Sequence, residues 1–489
     1  MLYKKTNGWK NISSEKMEKV FTMGEEYKKV LDLGKTEREF VELATSFAKE
    51  CGFIDARLKD TLVPGDKVYY LNRHKNIVLA VIGKEDILKG INYIVSHIDS
   101  PRLDLKQNPL YEELELAYMK THYYGGIKKY QWASIPLALH GVVVLSNGEK
   151  VKVVIGEHED DPVFTVPDIL PHLDRKVQGD RTAREVIKGE ELQIIVGSIP
   201  ATINDEEIKD SVKYAILEKL NDIYGIVEED FISAELELVP SQKAKDVGLD
   251  RSLIGAYGQD DRICAYTSLR AILDMQDVPE RTAVCFLADK EETGSDGSTG
   301  LQSDFIDYFT ADMIFKTKRI YSDLYLKETL WNSKALSSDV NAGIDPIFKS
   351  VHDEQNAPKL GYGVVIVKYT GSGGKYGTND ADAEYVGEIR KMLNDNGVLW
   401  QTGMLGKVDE GGGGTVAKYL AKKGISTIDI GPALLAMHSP FEISSKLDVF
   451  ETYKAYKAFY RGEKKDKTKY IAKLSLIHIS EPTRRTPIS

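Results

Sequence analysis

The stretch AVCFLADKEETGSDGSTG, residues 283–300, opens with six apolar residues in a row and closes in glycines. A short apolar run without alternation fits a strand covered on both faces, the usual state in parallel sheets. A carboxylate pair, Glu291 and Glu292, follows that strand after Asp289 and Lys290. Outward from it the same kind of run returns at IVLAVIG (77–83), INYIVSH (91–97), GVVIVKY (363–369) and ISTIDIG (425–431). Helical segments stand between them: FVELATSFAKECG, DRICAYTSLRAILDM (261–275) and AEYVGEIRKMLNDNG (383–397). Thr36 and Glu39 have the spacing of a capping box before the first of these, and Gly52 is placed to end it. The alternation predicts an α/β domain.

Between 106 and 248 the pattern changes to short β-like runs. In ALHGVVVLSNGEKVKVVIG (138–156), Asn147-Gly148 between alternating strands signals a hairpin. LQIIVGSI (192–199) and ISAELELVP (232–240) continue the series. The expected organisation is a catalytic α/β domain in two parts, 1–105 and 249–474, with a β-rich domain inserted at 106–248. The last residues, SLIHISEPTRRTPIS (475–489), carry no period and read as a non-native tail, which removes His478 from consideration.

Composition narrows the function. At 489 residues, with 42% hydrophobic and 29% charged, the chain reads as globular with two or three domains. Its net charge of −10 argues against nucleic acid or an anionic membrane as partner. No apolar run approaches the roughly 18 residues of a membrane span, and MLYKKTNGWKNISSEKMEK lacks a secretory apolar segment. Cys51, Cys264 and Cys285 are too few and too scattered for a disulfide framework or a CxxC metal site. A cytoplasmic enzyme is expected.

Eight acidic and histidine positions can be weighed, most of them at predicted strand ends or helix starts. His97 ends one strand, and Asp99 two residues on is placed to orient its imidazole. Asp260 and Asp261 precede a helix, where a carboxylate bridges two cations or simply caps the helix. Of Glu291 and Glu292, one can bind metal while the other takes a proton from water. Asp339 lies in small, polar surroundings in ALSSDVNAG, and His438 in LLAMHSPFE follows the strand ISTIDIG. Each alone has a bland reading as a turn, cap or core residue; together they supply five ligands and a base, the needs of a two-metal hydrolase. GGGGT (411–415) lacks the Lys-Ser/Thr of a phosphate loop and reads as a close backbone approach. The acidic run EHEDD (157–161) reads as a solvated loop, and there is no HExxH or GxSxG.

HIDSPRLDLK, DDRICAY, EETGS, SSDVNAG and GPALLAMHSPFE, in that order, resemble the metal-site motifs of the aspartyl aminopeptidase and vacuolar aminopeptidase I family, over roughly 90–450. The resemblance implies a mixed-sheet metallo-aminopeptidase domain with helices on both faces, interrupted by the β-rich insert. It implies two zinc ions, with cobalt or manganese as substitutes: one held by His97 and Asp339, the other by Glu292 and His438, with Asp260 bridging. Glu291 would be the general base and Asp99 the orienting residue. It further implies a homo-oligomer, usually a dodecamer, in which His172 of LPHLDR reaches a neighbouring subunit's site. Lys375, in the loop TGSGGKYGTND, is the cation nearest the position that binds acidic substrates in relatives. The chain departs from the better-known branch at Lys290, Ala342 and Asp345, where that branch has histidines, which leaves the preferred N-terminal residue open. The expected substrates are peptides with a free N-terminus. The competing readings are another two-metal hydrolase, of carboxypeptidase or deacylase type, and an oligomeric shell protein with a lapsed site.

Overall fold

Nine strands form a central mixed sheet in the order Ile54–Asp55, Lys67–Asn72, Asn76–Val81, Ala283–Ala288, Asn92–His97, Lys334–Ser337, Ser426–Gly431, Val364–Val367, Trp400–Thr402. The structure is a computed structural model that describes residues 2, 5–203, 206, 207 and 209–462; the tail at 475–489 lies outside these. Four neighbouring strands in the middle, Ala283–Ala288, Asn92–His97, Lys334–Ser337 and Ser426–Gly431, run parallel. Every residue of Ala283–Ala288 is buried, as its unbroken apolar run requires.

Side chains alternate across a strand, so such a run must be covered on both faces. Ile94, Cys285, Leu287, Leu336 and Ile428 face one core with residues of the helices Ser14–Leu33, Glu37–Glu50, Gln259–Leu273, Ala383–Asp395 and Lys446–Arg461. Tyr93, Val95, Val284, Phe286 and Ala335 face the other core, under Phe305–Lys318 and Asp323–Trp331. There Phe286 meets Phe305 and Phe309 edge-on, with centroids 5.8 and 5.6 Å away. Truncating such a ring to Ala costs about 3–5 kcal/mol.

A second, six-stranded sheet is antiparallel throughout, in the order Lys150–Ile155, Leu137–Val144, Ala234–Pro240, Arg102–Glu113, Leu116–Tyr124, Gln193–Gly197. It packs its own core around Leu103, Trp132, Leu139, Leu236 and Leu238. The hairpin expected at Asn147-Gly148 is present, with Gly148 at φ +84°. Two details differ from the sequence reading. The first long strand begins at Arg102 and runs through the expected boundary at 105/106. A helix, Ser211–Tyr224, stands within the β-like stretch and lays Ile216, Leu217, Leu220 and Tyr224 on the sheet. The acidic run at 157–161 is also more than a solvated loop. Glu157 binds Lys35 at 2.6 Å and His140 at 3.1 Å and also pairs with Lys243, which ties the sheet to the start of Glu37–Glu50.

Candidate metal centre

The four parallel strands end on one edge of the sheet, and the candidate residues leave from those ends. His97 is the last residue of its strand; Glu291 and Glu292 follow Ala283–Ala288 by three and four residues; Asp339 follows Lys334–Ser337 by two. Gly431 ends the fourth strand, and a Cβ there would stand 2.0 Å from the Asp339 carbonyl oxygen. Only glycine lets the two backbones pass that closely. Asp260 and Asp261 sit in the first turn of Gln259–Leu273 with non-helical angles, joined by a cis peptide bond.

The two carboxylate oxygens of Asp260 face two different histidines. Oδ1 lies 3.2 Å from His97 Nε2, and Oδ2 lies 3.2 Å from His438 Nε2. His97 Nε2 is also 3.9 Å from Asp339 Oδ1 and 3.8 Å from Glu291 Oε2. His438 Nε2 is 3.5 Å from Glu292 Oε2. Each imidazole has its other nitrogen on a backbone carbonyl: His97 Nδ1 donates to Asp99 O at 3.0 Å, and His438 Nδ1 donates to Gly126 O at 2.7 Å. With Nδ1 held as a donor, each Nε2 is the nitrogen at which a cation would take the place of a proton. Asp99 Oδ1 and Oδ2 accept the backbone N–H groups of Glu291 and Glu292, both at 3.1 Å.

The charge balance calls for cations. Asp99, Asp260, Asp261, Glu291, Glu292 and Asp339 crowd around two imidazoles, all but the Glu pair buried. Burial pushes Glu291 up to about 7 and holds Glu292 and Asp339 well above the usual carboxylate range. Burial alone would lower His438, but the Asp260 carboxylate outweighs it and carries the imidazole up to about 11. Glu292 Oε1 and Asp261 Oδ1 are buried with no hydrogen-bond partner. The ligand atoms of His97, Asp260 and Glu292 lie within 4.8 Å of one another, as do those of His97, Asp261 and Asp339. Oxygen and imidazole donors in this mixture suit zinc. These residues fit a bound metal cation.

A cavity of about 430 Å³ opens over the cluster, lined by Glu291, Asp339, His438, Gly412, Gly413 and Lys418 among others. The glycine run at 411–415 therefore does approach the site closely. Two other predicted residues stand apart from the cluster. His172 is exposed in a turn of the segment beyond the six-stranded sheet. Lys375 pairs with Asp380 at 2.6 Å and stacks 3.9 Å from the Tyr369 ring centroid, in a hollow beside the cleft. Lys418 is a cation that lines the cleft itself. Sequence reading also missed Glu442, whose Oε1 accepts His438 N–H at 2.7 Å and whose Oε2 accepts Asp260 N–H at 3.0 Å. It sits four residues after His438 in the quoted motif HSPFE, a place in the sequence that does not by itself reveal its burial.

A family model for "Aminopeptidase I zinc metalloprotease (M18)" matches residues 30–460. The chain belongs to the M18 aminopeptidase family. This M18 chain is 57% identical over 459 residues to the "Probable M18 family aminopeptidase 1" of Borrelia garinii subsp. bavariensis, covering 94% of this chain and 100% of that one. A crystal structure of an M18 aminopeptidase from Thermotoga maritima is 48% identical, with a TM-score of 0.90 over 94% of this chain and 99% of that one. The dodecamer of mApe1 from S. cerevisiae is 19% identical, with a TM-score of 0.73 over 90% of this chain and 96% of that one, and shares the fold. As an M18 member the protein is a zinc metalloaminopeptidase, a hydrolase. The carboxypeptidase and deacylase alternatives give way to that assignment.

Proposed function

We propose that the protein removes N-terminal residues from peptides with two zinc ions and Glu291 as general base. The observation that carries this reading is Asp260, whose two oxygens each face a different histidine at 3.2 Å. His97 and Asp339 would hold one ion and Glu292 and His438 the other, with Asp260 between them; cobalt or manganese would fit the same donors. A bound pair of such ions polarises a carbonyl and acidifies a water. Glu291 accepts a proton from water and later delivers it to the leaving amine. Its rise to about 7 through burial suits a group that must both take and give a proton near neutral pH. Asp99 fixes the Glu291 backbone and stands 3.4 Å from His97 Nδ1. The intact set of candidate ligands argues against a lapsed shell protein.

The stretch expected at 106–248, extended back to Arg102 by its first long strand, would be the inserted domain, with its own sheet and core. The dodecamer of yeast mApe1 supports a homo-oligomer for this chain, as do exposed apolar side chains on the helix Asp323–Trp331: Leu324 and Trp331 are 71% and 74% exposed. In such an assembly the exposed His172 would enter a neighbour's cleft and donate to the developing oxyanion. Lys375 would stand at the cleft's margin toward an acidic substrate side chain. Three free cysteines fit a cytoplasmic setting, and among the described residues no helix is long and apolar enough to cross a membrane. The test is a panel of matched peptides with free and blocked N-termini. An aminopeptidase cleaves only the free-amine set; equal cleavage of both would refute the reading.

A further inference from the structure

The strand Leu116–Tyr124 of the six-stranded sheet leads into Tyr124-Gly125-Gly126, and each of these residues touches a different part of the centre. The Tyr124 hydroxyl donates to Asp99 Oδ2 at 2.7 Å, the carboxylate that also receives the Glu291 and Glu292 N–H groups. Gly125, at φ +73°, lies so close to Glu292 that a Cβ would stand 3.3 Å from Glu292 Cβ. The Gly126 carbonyl accepts His438 Nδ1–H at 2.7 Å.

The corner is anchored firmly. The Arg102 guanidinium stacks 4.0 Å from the Tyr124 ring centroid, and the Lys290 ammonium lies 5.2 Å from it. Arg102 in turn binds Glu37 at 3.3 Å, on a helix that packs against the nine-stranded sheet, and Glu237 at 3.2 Å, within the six-stranded sheet. A buried ion network therefore clamps the two sheets together where the corner meets the centre.

We propose that the corner at 124–126 is a positioning element of the metal centre: it sets the Asp99 carboxylate, the Glu292 backbone and the His438 tautomer from the six-stranded sheet. It rests on the two-metal reading above and adds a dependence that reading lacks. The ligands all come from the nine-stranded side, but their aim is set from the other sheet. Through Asp99, Tyr124 governs the backbone that carries the proposed base. Gly125 and Gly126 govern the ion between Glu292 and His438.

Two full-length variants, Tyr124→Phe and Gly125→Ala, test this with zinc content per chain, zinc affinity by chelator competition, and kcat and KM on a free-amine aminoacyl substrate. Tyr124→Phe should keep two zinc ions and a KM within about twofold while kcat falls about ten- to a hundredfold, the effect of one hydrogen bond to a charged group. Gly125→Ala should weaken the second zinc by about tenfold or more, because its Cβ needs space held by Glu292. Wild-type kcat and zinc affinity in both variants, with or without a lower melting temperature, would overturn the proposal and leave the two-metal reading intact. Fewer than two ions in the wild-type protein would overturn that reading and the proposal with it.

Discussion

Replacing Glu442 by Gln changes almost no volume but breaks a bridge between two proposed ligands. Glu442 is 1% exposed and accepts the backbone N–H of His438 on one oxygen and of Asp260 on the other. Glutamine offers one acceptor oxygen, and its amide NH₂ then meets the second N–H donor to donor. Losing a hydrogen bond to a charged group costs about 1.5–3 kcal/mol, and stranding a buried donor adds about 1–3 kcal/mol. If about 3 kcal/mol of this appears in the geometry of Asp260 and His438, zinc affinity at the His438 position falls about a hundredfold. Chelator competition on the full-length variant reads that loss directly, and thermal melting of the apo-protein separates it from global destabilisation. A variant with lowered stability but two zinc ions held at wild-type affinity would refute the reasoning and reduce Glu442 to a packing residue.

Glu291→Gln should retain both zinc ions and lose several orders of magnitude in kcat, because an amide cannot take the proton; Glu292→Gln should instead lose metal. Metal analysis alongside kinetics checks the pair, and an exchange of the two outcomes would reverse the roles. Burial raises the Glu157 pKa, but His140, Lys35 and Lys243 outweigh it and bring it down to about 2 from 4.5. Its depressed folded pKa contributes stability above pH 4.5 that is lost as pH falls toward 2. Glu157→Gln should therefore destabilise by about 2 kcal/mol at pH 7, less than the full pKa difference implies because solvent screens this partly exposed group, and converge on wild type in acid, as denaturant titrations across that range would show. Subunits carrying only His172→Ala, mixed with subunits carrying only Glu291→Gln, should recover part of the activity that each lacks alone. No recovery despite proven exchange would mean that His172 does not act across subunits.

The strand ends were legible because the chemistry and the fold signal occupy adjacent residues. An apolar run such as AVCFLA identifies a buried strand, and the polar residues at or just past its end, His97 on one strand and Glu291 three residues beyond another, mark the edge where ligands gather. Asp260 was legible as a carboxylate at a helix start. Its neighbour Asp261, paired with it in the sequence but given no ligand role, lies buried beside it, taking the His97 N–H at 3.3 Å. The supporting residues left no such trace. Gly126 and His438 are 312 positions apart in the chain and meet only through the packing of two sheets. Tyr124 sits at the end of a strand whose tyrosines, like the glycines just after it, look like ordinary sheet and turn residues. Helix Ser211–Tyr224 was hidden for a related reason: it lies within a β-like stretch, and what fixes it is the face it lays on the sheet. Position along an element is local information, whereas which loop from a second sheet closes over it is not.

The central claim is that Asp260 stands between two cations, one on each histidine. Metal analysis of the zinc-reloaded protein, run beside His97→Ala and His438→Ala, tests it most directly. Two zinc ions per chain are expected in the wild type, with loss of metal and of nearly all activity in either variant. A single ion per chain in the wild type, or two ions and full activity in His438→Ala, would contradict it.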